Sequence, residues 1–81
     1  MNDTHFIKES LKEAKKAAKS GEVPVGCVIV KGGKIISRAH NLTIRKNDPT
    51  AHAEILALKK AAQKMGNYRL TNCEMYVTIE P

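Results

Sequence analysis

The sequence predicts a three-layer α/β/α sandwich with element order helix, strand, strand, helix, strand. Three observations carry this. Val25-Gly26-Cys27-Val28-Ile29-Val30 is apolar with almost no polar alternation, so it reads as a central strand buried on both faces, with helices either side. One helical periodicity precedes this run and another follows it. The composition, 42% hydrophobic and 27% charged over 81 residues, is that of one small globular domain rather than a disordered chain.

The first helix is expected over residues 4–19, with Asp3 or Thr4 as N-cap and Gly21 just past its end. Phe6, Ile7, Leu11, Ala14, Ala17 and Ala18 recur at helical spacing as an apolar face, opposite a stripe of Lys8, Lys12, Lys15 and Lys19. After the break at Pro24 comes the first strand, 25–30. Gly32-Gly33 suits a two-residue hairpin turn, so the second strand, 34–39, returns antiparallel. Asp48-Pro49-Thr50 is a helix-start signal, and the second helix is expected over 50–64. Its apolar positions are Ala51, Ile55, Leu58, Ala62 and Met65, and Gly66-Asn67 ends it. Met75, Val77 and Ile79 alternate with Tyr76 and Thr78, which places a third strand at 75–79. A helix between strands two and three implies a crossover to a parallel strand and leaves the third strand with an open side.

Composition also excludes classes. No apolar run approaches the roughly 20 residues of a membrane span. Residues 1–8 lack the apolar core of a secretory signal. Two cysteines, Cys27 and Cys73, make no disulfide scaffold, so reduced thiols and a cytoplasmic location are expected. The formal net charge is +6, and Lys59, Lys60 and Lys64 add a basic edge to helix two, so a polyanionic partner such as RNA is expected. With one Phe, two Tyr and no Trp, base-stacking platforms are scarce.

Three segments offer chemistry. In His52-Ala53-Glu54, His is a common metal ligand and Glu a good proton shuttle. Residues two apart in mid-helix point about 200° away from each other. They share a site only if it lies off the helix end, where Asp48-Pro49-Thr50 places them. The plainer reading is a polar His and a Glu favoured by the helix N-terminus. In Thr78-Ile79-Glu80-Pro81, a carboxylate ends a strand where open α/β sheets bind ligands, or the segment simply turns. In Arg38-Ala39-His40-Asn41, Asn41 is able to donate to and accept from a base or ribose, or it is a turn residue beside a surface His40.

Taken in order, Pro24-Val25-Gly26-Cys27-Val28-Ile29-Val30, Asn41, Asp48-Pro49-Thr50-Ala51-His52-Ala53-Glu54-Ile55, Asn67-Tyr68-Arg69-Leu70 and Tyr76-Val77-Thr78-Ile79-Glu80-Pro81 resemble the N-terminal half of the bacterial tRNA adenosine deaminases, in the cytidine/deoxycytidylate deaminase superfamily. The resemblance implies a cytidine-deaminase-like fold and zinc-dependent hydrolytic conversion of wobble adenosine to inosine. By position His52 matches the zinc-binding histidine, and Glu54 matches the general acid/base that shuttles protons without binding metal. Asn41 resembles the asparagine that fixes the flipped nucleoside, and Val25 and its neighbours resemble the strand lining the base pocket. The family is usually dimeric. Asn67-Tyr68-Arg69-Leu70 and the last segment favour the tRNA branch over cytidine or guanine deaminases.

The family motif continues Pro-Cys-x-x-Cys, so residues 1–81 are read as the N-terminal part of one deaminase domain, without its two cysteine ligands for Zn2+. Cys73 precedes strand three, and eight near-extended residues span about 26 Å, which puts it at the wrong end of the sheet. Cys27 reads as a small core residue. These 81 residues alone are therefore expected to bind no zinc with the family geometry and to be inactive. Two other readings remain at this point: a cytidine- or guanine-type deaminase, and a non-catalytic RNA-binding or interaction module.

Overall fold

In the computed structural model, which describes residues 3–80, a three-stranded sheet lies between two helices. The elements are α1 (Asp3–Lys19), β1 (Val25–Lys31), β2 (Lys34–His40), α2 (Ala53–Met65) and β3 (Cys73–Ile79). The expected element order holds throughout. Pro81, the last residue of the quoted motif, lies outside the described residues.

The sheet order is β2-β1-β3, so the apolar run is the central strand. Alternate β1 side chains serve opposite layers. Val28 and Val30 pack with Phe6 of α1, whereas Cys27 and Ile29 pack with Ala53, Ala57 and Ala61 of α2. Gly32 and Gly33 close the β1–β2 hairpin with φ of 59° and 78°, the left-handed pair that a type I′ turn needs. The β1·β2 register slips between Ile29 and Val30, where Ile36 is the extra residue.

Strand three corrects one expectation. It runs in the same sense as β2, as a crossover requires, but hydrogen-bonds to β1, antiparallel. Among the described residues there is thus no parallel ladder, because β3 joins the far side of β1 rather than the free side of β2. The strand also starts earlier than the apolar alternation indicated, at Cys73, which pairs with Lys31.

Both helix faces differ from the hydrophobic pattern. The buried stripe of α1 is Phe6, Ser10, Glu13, Ala14 and Ala17, while Ile7 is 49% exposed. Asp3 and Thr4 lie in its first turn rather than ahead of it. The polar pair is buried because β2 and β3 supply partners. The Ser10 and Thr78 hydroxyls share a hydrogen bond, and Glu13 meets Lys16, Arg38 and His40. On α2 the buried residues are Ala53, Ala57 and Ala61, whose small side chains let the helix lie close to the sheet, and Ile55 and Leu58 are partly exposed. Helix two begins at Ala53, three residues later than expected. Asp48 Oδ1 accepts from the Thr50 N–H and hydroxyl, forming a tight turn ahead of the helix, and His52 is extended at φ −78°, ψ 150°.

The acidic cluster on α1 makes stability depend on acid. Hydrogen bonds from Lys12 and Arg38 hold Glu9 down at about 2, against an ordinary 4.5. Burial pushes Glu13 up, but its bonds to Lys16 and His40 and the charges of Lys16 and Arg38 outweigh this, and its net shift is downward. A carboxylate lowered by folding contributes stability above its unfolded value and loses it as pH falls through the folded one. Stability is therefore expected to decline as pH drops from about 4.5 toward 2. Denaturant midpoints measured across that window check this, and a midpoint that holds or rises on acidification would contradict it.

Candidate active site

The site residues converge because all three strands have a terminus at one end of the sheet. Strand β1 enters there at Val25, β2 leaves there at His40, and β3 leaves there at Ile79, paired with Val25. Two backbone bonds tie these ends together: Asn41 N–H to Val25 O at 3.1 Å and Glu80 N–H to Pro24 O at 2.9 Å. Helix α2 starts at the same end.

Asn41 is the hinge of the arrangement. Its side chain is only 3% exposed. Oδ1 accepts from the Ala53 N–H at 3.3 Å, and Nδ2 donates to Thr43 Oγ1 at 3.4 Å. His52 occupies the N-cap of α2 but makes no side-chain capping bond; Asn41, the residue after strand two, caps the helix instead. The amide it caps lies between His52 and Glu54. These two residues therefore sit at the end of the helix and in its first turn, where opposed mid-helix directions no longer separate them. His52 is exposed, and Glu54 and Val25 are half-buried. Asn41, Val25, His52 and Glu54 are thus brought to one end of the molecule.

Glu80 follows β3 at this end. Its Oε2 is buried and has no hydrogen-bond partner among the described residues. Arg38 and His40, by contrast, turn away from the site. Arg38 pairs with Glu9 at 2.6 Å and Glu13 at 3.3 Å, and His40 Nδ1 lies 3.3 Å from Glu13. An open groove along β2, lined by Ile35, Ile36, Ser37, Arg38, Lys60 and Lys64, contains none of the four site residues.

Neither cysteine is placed to complete a metal site. Cys73 pairs with Lys31, at the opposite end of β1 from Val25. Cys27 is fully buried under α2, and burial, reinforced by the Glu54 charge, pushes its thiol up to about 12. A thiol this high is scarcely nucleophilic at neutral pH. In the 81-residue chain a colorimetric disulfide reagent is expected to label Cys73 promptly and Cys27 only after unfolding. Two fast thiols in native buffer would contradict the burial.

A catalytic zinc takes about three protein ligands plus water. Among the described residues no three His, Cys, Asp or Glu side chains form a metal-holding group. The described residues therefore do not by themselves fit the ion. One residue of this neighbourhood gave no signal in the sequence. Glu22, 5% exposed, accepts from the Ile44 N–H at 3.0 Å and the Arg45 N–H at 2.7 Å. Nothing in the pattern of a lone Glu between Gly21 and Val23 points to partners 22 and 23 residues away.

Comparison with known proteins fits this arrangement. The family model described as the cytidine and deoxycytidylate deaminase zinc-binding region matches residues 1–81. A tRNA-specific adenosine deaminase of Aquifex aeolicus is 53% identical over 81 residues, covering 100% of this chain and 54% of that protein. One from Bacillus subtilis is 48% identical over 79 residues, covering 98% and 49%. The chain therefore spans about half the length of these curated relatives. A solved structure from work on A-to-I editing by tRNA:A34 deaminases superposes with a TM-score of 0.90 at 45% identity, covering 96% of this chain and 60% of that one. Guanine deaminase of Bacillus subtilis superposes with a TM-score of 0.90 at 41% identity, covering 100% and 52%. With the whole chain matched by the family model, this chain belongs to the cytidine and deoxycytidylate deaminase family.

Proposed function

We propose that this chain forms the nucleoside-binding half of a tRNA adenosine deaminase site, which converts adenosine at the wobble position to inosine. The observation that carries the reading is Asn41. Its buried amide accepts from the backbone N–H between His52 and Glu54, and this supports reading the three as a base-recognising group, a metal ligand and a proton shuttle at one end of the sheet. The names of the relatives support the tRNA branch.

Within that site Asn41 and Val25 hold and orient the flipped nucleoside. The Glu54 carboxylate takes one proton from the attacking water and gives it to the ring nitrogen as the new C–O bond forms at C6; it then takes the second from the resulting hydroxyl and gives it to the amine, which leaves as ammonia. His52 is one zinc ligand. The remaining ligands would come from outside these 81 residues, and a zinc held by the completed set would supply water activation. The basic face of α2 and the loop cations meet the RNA backbone. The complete protein is read as a cytoplasmic homodimer.

The guanine deaminase neighbour favours a second reading, a free-base deaminase on the same scaffold. The test presents the complete, zinc-loaded protein with an anticodon stem-loop bearing a wobble adenosine, with free guanine and with cytidine. Inosine in the stem-loop and no turnover of the small substrates is expected. Turnover of guanine without the stem-loop would replace the tRNA reading.

A further inference from the structure

We propose that Glu22 is a positioning residue for the RNA-facing rim of this site, a role that rests on the tRNA deaminase reading. Glu22 sits in the turn between α1 and β1, outside the residues that would touch a base. Its carboxylate is buried, and its two oxygens are divided between the consecutive amides of Ile44 and Arg45. A carboxylate held by paired backbone N–H groups is a strong, charge-assisted anchor.

The anchored segment is the loop between β2 and α2. Its base is closed independently of Glu22 by the Leu42 N–H bond to Ala51 O, 2.9 Å. Its two feet are Asn41 and His52, and Asn41 is fixed by Val25 and Ala53. Inside the loop, Lys46 bonds Leu42, Asn47 bonds Ile44 and Asp48 bonds Thr43. These internal bonds shape the loop but do not attach its tip to the domain. Among the described residues, both hydrogen bonds that tie Ile44 and Arg45 to the fold outside the loop go to Glu22.

The tip has the chemistry of a nucleic-acid rim. Ile44 is 68% exposed, Arg45 and Lys46 are exposed cations, and Val23, beside the anchor, is 54% exposed. Fixing an apolar side chain and two cations before the substrate arrives lowers the ordering cost of binding a strand. The carboxylate oxygens are engaged by backbone amides, so the anchor orients the cations without pairing with them. Because the loop feet are held by other bonds, loss of the anchor frees the rim and spares the chemical centre.

The test compares the wild-type, Glu22→Gln and Glu22→Ala forms of the complete protein. In the alanine variant, stem-loop Kd and KM are expected to rise about tenfold or more, with kcat within about threefold and zinc content unchanged. Glutamine keeps one acceptor but sets an NH2 against the other amide, and it should fall between. Amide exchange at Ile44 and Arg45 should accelerate about tenfold or more in the alanine variant and stay unchanged at Leu42. A residue that merely stabilises the fold would lower the melting temperature and the active fraction at unchanged KM. Unchanged exchange at Ile44 and Arg45, or a stem-loop Kd within twofold of wild type, would overturn the role of Glu22. A wild-type protein that fails to deaminate the stem-loop would instead overturn the deaminase reading, with the exchange data still deciding whether the anchor exists.

Discussion

Replacing Glu54 with glutamine in the complete protein is expected, on the proposed function, to lower kcat by about 10²- to 10⁴-fold, the usual contribution of a positioned acid/base. The side chain keeps its size and its place in the first turn of α2, so the fold should tolerate the change. What disappears is a carboxylate able to accept a proton from water and return it to the base. Binding of the stem-loop does not depend on that proton, so KM should move by no more than a few-fold. His52 is untouched, so zinc content should also hold. Single-turnover deamination with a zinc assay on the same preparation checks this. A kcat within tenfold of wild type would remove Glu54 from the acid/base role, and loss of zinc would recast it as a supporter of the metal site.

The largest stability effect is expected at Gly26. Here α1 crosses the central strand so closely that a Cβ would overlap the Ser10 carbonyl oxygen and the Ala14 nitrogen. Both obstacles are helix backbone, so no rotamer change relieves the clash. The Glu13 Cβ lies 2.8 Å from the same point. Gly26→Ala is therefore expected to cost about 3 kcal/mol or more, at the upper end of overpacking penalties. Gly26→Val should leave the domain unfolded. Withdrawal of α1 would also disturb the turn that carries Glu22, so activity should fall with stability. A Gly26→Ala protein whose denaturant midpoint corresponds to a loss under about 1 kcal/mol would show that α1 slides to accommodate the methyl.

How much of this was legible in the sequence follows from where each signal resides. The central strand was readable because a strand covered on both faces must be apolar at every position, and residues 25–30 are nearly so. The hairpin was readable because its two glycines adopt positive φ. Helix faces were less so. Hydrophobicity selected Ile55 and Leu58 on α2, but close packing on the sheet selects small residues, and Ala53, Ala57 and Ala61 went inside. On α1 the burial of Ser10 and Glu13 depends on Thr78, Arg38 and His40, partners 25 or more residues away.

The site shows the same division. His52 and Glu54 stand two apart, a spacing that by itself separates them on a helix. The ordered motif resemblance singled them out, and the helix start at Ala53 explains how they share one end. Asn41 was marked by the resemblance, but its capping of α2 was not, because a cap from another segment leaves no local pattern. Direction in the sheet misled for a related reason. A crossover fixes the sense of β3 relative to β2, yet not which edge it joins.

The outward face also has a consequence. Met75, Val77 and Ile79 stand opposite Ile29, Cys27 and Val25, on the α2 side of the sheet, and are 40%, 45% and 67% exposed. This apolar row lies beyond the cover of α2. The 81 residues on their own are expected to self-associate through it and through the unpaired edge of β3. Sedimentation of the isolated chain checks this, and a monomer with a sharp thermal transition would contradict it.

Zinc stoichiometry tests most directly whether these residues are one half of a metal site. Wild-type complete protein, its His52→Ala variant and the isolated 81-residue chain would each be dialysed against a weak chelator and assayed for bound metal. One tightly held zinc per complete protein, lost in His52→Ala, and none on the isolated chain is the expected result. An isolated chain that retains one zinc, or a complete protein that retains it without His52, would contradict the assignment of His52 as one ligand of a centre completed from outside this chain.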